Sequence, residues 1–144
     1  MRKIVLFRIS SKGYPKVKVE NINKFDSLNN LTRIFKGWEF ICVADNCDND
    51  LITRLKTDYH FDQLIETSLG NPGSFWKLYA IALGFANDED VFYFAEDDYL
   101  HLPGSQEAIL EGLEYFDYVT LYDHPDKYKL SDVPLNPYAK KNRY

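Results

Sequence analysis

Apolar and polar positions alternate along the chain in blocks whose lengths switch between strand and helix. Ile4-Val5-Leu6-Phe7, with Ile9 beyond, and residues 91–95 are short unbroken apolar runs, the pattern of strands buried on both faces. Residues 38–44 form another such run, rich in aromatic and β-branched side chains. Between these runs, apolar residues recur three or four apart. From Asn23, the positions Phe25, Leu28, Leu31, Ile34 and Phe35 predict a helix that stops at Gly37. Asp48 or Asn49 caps a short helix carrying Leu51, Ile52 and Leu55. Gly70-Asn71-Pro72-Gly73 reads as a turn, with Ser74 capping a helix whose stripe is Phe75, Leu78, Tyr79, Ala82, Leu83 and Ala86. Pro103-Gly104-Ser105 opens a last helix with Ala108, Ile109 and Leu113 inside. A weaker third strand falls at 64–67 and a fifth at 118–122, while residues 12–18 read as loop by their Gly and Pro. Strand and helix in strict alternation predict an α/β three-layer sandwich with a mostly parallel central sheet and right-handed crossovers. Past Asp123, prolines and the loss of periodicity suggest a domain over 1–128 and an extended tail over 129–144.

Composition refines this only by exclusion. At 144 residues, with 45% hydrophobic and 27% charged, the chain is sized and composed as one globular domain. A net charge of −5 gives no electrostatic footprint for a nucleic-acid backbone. Cys42 and Cys47 have neither zinc spacing nor the look of a disulfide framework and read as reduced thiols of a cytoplasmic protein. The apolar run after Met1-Arg2-Lys3 is too short for a signal peptide, and no stretch nears the roughly 20 apolar residues of a membrane span.

The candidate chemistry lies where strands end. Residues 91–95 run straight into Glu96-Asp97-Asp98. In a helix-covered parallel sheet, ligands bind outside the carboxyl ends of the strands, so these acids emerge where a ligand sits. Crowded carboxylates repel one another unless a cation joins them, and Mg²⁺ or Mn²⁺ with oxygen ligands answers that need. A solvated loop that happens to follow a strand is the plainer alternative. The same edge gathers Arg8 and Ser10 after the first strand, Asp45-Asn46 after the second, and the 70–73 turn after the third. A helix opening at Ser74 offers N–H groups to an anion, and Lys77 in its first turn is explained either by a nearby phosphate or by snorkelling to solvent. Asp45 equally suits an Asx-turn or a cap. Together the set suits a nucleotide diphosphate with a divalent metal.

These residues resemble a known family. Glu96-Asp97-Asp98 at the end of a buried strand resembles the DXD motif of GT-A-type glycosyltransferases. Asp45-Asn46-Cys47-Asp48-Asn49-Asp50 is similar to the Asp-x-Ser-x-Asp segment after their second strand, and Asn71-x-Gly73 to their Asn-x-Gly turn. Residues 121–128 (Leu-Tyr-Asp-His-Pro-Asp-Lys-Tyr) resemble a segment of the family 2-like branch, so the likeness spans residues 4–128. It implies the GT-A (Rossmann-like) fold and transfer of a sugar from a nucleotide-diphosphate sugar to a saccharide or other hydroxyl acceptor. It further implies Asp98 as ligand of Mn²⁺ or Mg²⁺ and of the diphosphate, with Glu96 and His124 as further metal ligands. Glu96 also faces the ribose or donor sugar, joined in donor binding by Asp97, Asn71 and Lys77. Asp45 contacts the base or ribose, Arg8 and Ser10 wall the base pocket, and Asp123 is the candidate base. Two departures stand out. Glu96 replaces the first Asp of the motif, and only 46 residues follow Asp98, which suggests a short or truncated member. The competing readings are a non-catalytic nucleotide-sugar or metal-binding module and, last, a phospho-acceptor signalling domain, which needs acids where this chain has Arg8 and Ser10. An open sheet edge is also compatible with a homodimer.

Overall fold

The structure, a computed structural model, describes residues 1–11, 23–85 and 87–122. The chain divides into two units, Met1–Pro103 and Gly104–Tyr144. In the first, strands β1 (Lys3–Ile9), β2 (Glu39–Asp45), β3 (Gln63–Thr67) and β4 (Val91–Glu96) form one parallel sheet in the order β3-β2-β1-β4. Helices α1 (Lys24–Ile34), α2 (Asn49–Asp58) and α3 (Gly70–Phe85) connect them in turn. This is the expected α/β alternation, compatible with a Rossmann-like fold. The order reverses between β1 and β4, because the chain steps outward from β1 to β3 and then crosses back to the far side of β1. In open α/β sheets such a reversal opens a crevice at the carboxyl edge.

Side-chain alternation assigns the two faces of the sheet. Ile4 and Leu6 of β1, with Ile41 and Val43 of β2, meet Leu78 and Ala82 of α3, and Phe92 packs against this cluster. The residues between them face the other way: Tyr93, level with Val5, stacks on Phe35 at the end of α1 with ring centroids 4.7 Å apart. Ile4, Val5, Leu6 and Phe7 are all fully buried, as a central strand covered on both faces requires. α1 starts where the sequence places it, with Asn23 and Asp26 forming a reciprocal capping box, and Gly37 takes the left-handed conformation just after the helix.

Three expectations are corrected. α3 begins at Gly70 and not at Ser74, so the 70–73 stretch is its first turn. Pro72 fits there because the first N–H groups of a helix have no partner within it. The face that α3 buries is Ser74, Leu78 and Ala82, whereas Phe75, Tyr79 and Leu83 are exposed. Leu78 and Ala82 are buried as expected, but hydropathy drew the stripe too wide and missed Ser74, because large aromatics outweigh the small residues that allow α3 to approach the sheet. The expected fifth strand is absent among the described residues: 118–122 pair with no strand, and Tyr118 is 81% exposed. In the second unit, α4 (Ser105–Leu113) starts after Gly104 in the left-handed conformation. Gly112 lies so close to Val119 that a Cβ would come within 2.8 Å of it. The expected tail at 129–144 lies outside the described residues.

Candidate functional site

The alternation that sorts the core also sorts the acids. Arg8 and Glu96 are register partners on β1 and β4, on the face covered by α3, and Asp45 at the end of β2 shares that face. All three are committed to bonds within the protein, in two sets that both reach the first turn of α3. The Asp45 carboxylate, 3% exposed, accepts from Thr67 Oγ1 (2.8 Å), Leu69 N (2.6 Å), Gly70 N (3.0 Å) and Asn46 Nδ2 (2.9 Å). It therefore caps α3 from across the sheet. Arg8 donates through Nη1 to the Asn71 carbonyl (2.6 Å) and Ser74 Oγ (3.3 Å), and through Nη2 to Glu96 Oε1. On this face the reversal between β1 and β4 is closed by the chain's own side chains.

Asp97, one residue on, turns to the opposite face, where its Oδ2 lies 3.6 Å from Lys24 Nζ, and Lys24 also donates to the Ser10 carbonyl. Lys24 is the first of three α1 residues spaced three apart that hold the segment after β4. Ser27 Oγ donates to the Tyr99 carbonyl (2.8 Å). Asn30 grips the main chain of His101 from both sides, donating to its carbonyl (3.0 Å) and accepting from its N–H (2.7 Å). A period of three keeps these side chains along one side of the helix.

His101 closes this segment against the core. It is 7% exposed, its Nε2 lies 2.6 Å from the Tyr93 hydroxyl, and its Nδ1 is buried with no hydrogen-bond partner. Burial pushes Tyr93 up to about 12 and lowers His101 below its ordinary 6.5. Folding thus favours the neutral imidazole. The unfolded chain binds the proton more readily, so this stabilisation is complete above about pH 6.5 and is lost as pH falls through the lower folded-state value. We expect urea midpoints to drop between pH 7.5 and pH 5, and His101→Phe to flatten that drop; an unchanged pH profile in the variant would count against the assignment.

The remaining expected residues scatter. Asn71 contributes its carbonyl to Arg8 while its side chain is exposed. Lys77, expected in the first turn, stands two turns into α3 and is exposed. Ser10 contributes a carbonyl to Lys24. Asp98 is half-buried in the turn after β4. Asp123 and His124 lie outside the described residues.

Whether this donor set suits a divalent cation follows from the same geometry. Among the described residues, no three His, Cys, Asp or Glu side chains are grouped to hold a metal ion. Glu96 and Asp97 sit on opposite faces, each against its own cation, so gathering them about one ion means breaking at least one ion pair. Of the three expected metal ligands, Glu96 is committed to Arg8, Asp98 is half-buried in the turn after β4, and His124 lies outside the described residues.

Open space lies on the α1 side. A cleft of about 340 Å³ is lined by Ser11, Lys24 and Phe25 at the end of β1 and the start of α1, and by Asp48, Asp50, Leu51 and Arg54 of α2 and its cap. Asp48 caps α2 through Leu51 N (2.9 Å), and that bond, with Ser11, holds its carboxyl below the usual range. The Arg54 guanidinium lies over the Phe25 ring at 3.5 Å. A second space of about 270 Å³, lined by Ala44, Cys47, Ile52, Glu66, Thr67 and Ser68, opens at the end of β2 and β3.

The chain matches no protein-family model, no curated protein and no solved structure. No helix among the described residues is long and apolar enough to cross a membrane. Lys24, Ser27, Asn30 and Arg54 were not singled out from sequence. Lys24 alone left a trace there: a cation in a helix's first turn opposes the helix dipole and calls for a partner.

Proposed function

We propose that the chain is a nucleotide-sugar-binding domain of the glycosyltransferase kind, passing a sugar from a nucleotide-diphosphate sugar to an acceptor hydroxyl. The observation that carries this reading is the cleft lined by Lys24, Phe25 and Arg54 at the carboxyl edge of a parallel sheet, beside the acid-bearing turn after β4. Ligands of such sheets lie at this edge, and Lys24, Arg54 and the Phe25 ring, in a lining that also holds Asp48 and Asp50, suit an anionic ligand with a planar base. In the reaction, the bond between the sugar's anomeric carbon and the diphosphate oxygen breaks and the acceptor oxygen bonds that carbon. The acceptor's proton passes to a base, and the electron pair leaves with the diphosphate. Cations fixed beside the departing diphosphate favour the transition state, where its charge grows.

A second reading, binding without transfer, is favoured by one observation: Asp45, Glu96 and Asp97 are each engaged by protein donors or cations and not poised as a base. Titration with a panel of sugar nucleotides, followed by chromatography for released nucleoside diphosphate, tests both. Binding with release, accelerated by saccharide acceptors, is the expected result. Binding without release selects the second reading, and no binding up to about 1 mM ligand sinks both.

A further inference from the structure

Resting on the nucleotide-sugar reading above, we infer that Lys24, and not a divalent ion, meets the diphosphate of the ligand, so that nucleoside diphosphate binding at this edge does not require Mn²⁺ or Mg²⁺. The acid triplet argues for this by where its carboxylates go. Glu96, the last residue of β4, meets Arg8 on the face covered by α3, and Asp97, in the turn just beyond, meets Lys24 of α1 on the opposite face. Two of the three carboxylates thus already have a built-in cation, which relieves much of the repulsion that would draw in a metal.

Lys24 is placed to act outward as well. It is the first residue of α1, held by the Ser10 carbonyl and by Asp97, and it lines the cleft. An ammonium carries three N–H donors, more than these two contacts use, and it binds phosphate as a compact point charge. Arg54 supplies a second cation to the cleft, braced by the Phe25 ring beneath it and by Asp58 Oδ2 at 3.3 Å. Of the two acids in the lining, Asp48 is already bonded to the α2 N-terminus, so its charge meets N–H groups and not the ligand.

The test is calorimetric titration of the whole chain with UDP, GDP, ADP, CDP and dTDP, once in EDTA and once in excess Mn²⁺. The nucleotide that binds is expected to do so with affinities within about twofold of each other in the two buffers. Lys24→Gln is expected to weaken it by about ten- to a hundredfold in both, while Lys24→Arg keeps most of the affinity; thermal melts show whether each variant folds. Binding seen only with Mn²⁺ overturns the inference and leaves the nucleotide-sugar reading standing. Absence of binding in either buffer removes that reading and the inference with it. The comparison of buffers uses the unaltered chain, so it decides the metal half of the inference even if Lys24→Gln fails to fold. A folded Lys24→Gln chain of undiminished affinity, or a folded Lys24→Arg chain that has lost it, shows that Lys24's charge does not set affinity and overturns the other half.

Discussion

Asp45→Ala will lower the unfolding free energy by about 2–3 kcal/mol, because it removes a buried acceptor and leaves four partly buried donors without their shared partner. Four protein donors converge on that carboxylate, two of them the Leu69 and Gly70 N–H groups at the entrance to α3. Urea denaturation of the variant gives the number directly. Thr67→Val, which removes one of the four donors and leaves the main-chain bonds, should cost only about 1 kcal/mol. Were Asp45 chiefly a ligand contact, its removal would weaken nucleotide binding and leave the urea midpoint where it was. A loss under about 1 kcal/mol would therefore refute the capping role.

Phe35→Ala is expected to cost about 3–5 kcal/mol, the range for emptying a fully buried aromatic site. Phe35 is 0% exposed and touches three rings: it stacks on Tyr93 and meets Trp38 and His101 edge-on, at 5.1 and 5.3 Å between centroids. A domain with a total stability of about 5–15 kcal/mol does not lose that much without showing it at ordinary temperature. The variant should also speed hydrogen exchange at the His101 amide, since the ring packs against the end of the acid-bearing segment. Phe35→Leu, which keeps most of the volume, is expected to lose less than about 1.5 kcal/mol. Equal losses in the two variants would mean that ring contacts, and not filled space, dominate at this position.

The sheet could be read from the chain because its signal is local. The apolar runs at β1, β2 and β4 need no partner to be recognised, and Asn23 with Asp26 carries the start of α1 within four residues. The start of α3 could not be read this way. Its cap is Asp45, a residue 25 positions upstream of Gly70, so local sequence pointed to Ser74 instead. The aromatics of 118–122 suggested a strand by propensity, but a strand also needs a neighbour to bond with and a layer to cover it, and Tyr118 has neither role. The site divides in the same manner. That acids gather at the carboxyl edge follows from the order of the elements. Which face each acid takes depends on where β4 ends, and Glu96, its last residue, parts company with Asp97 in the turn beyond.

The ladder of Lys24, Ser27 and Asn30 has a consequence for how this edge can change over time. Ser27 and Asn30 hold the segment after β4 by its main chain, through the Tyr99 carbonyl and both polar groups of His101, while the side chains of Tyr99 and Leu100 are exposed. The course of the segment is thus written in the side chains of another element. Leu100 can be exchanged for another residue, and with it part of the surface offered beside the cleft, without rerouting the backbone that carries the acids.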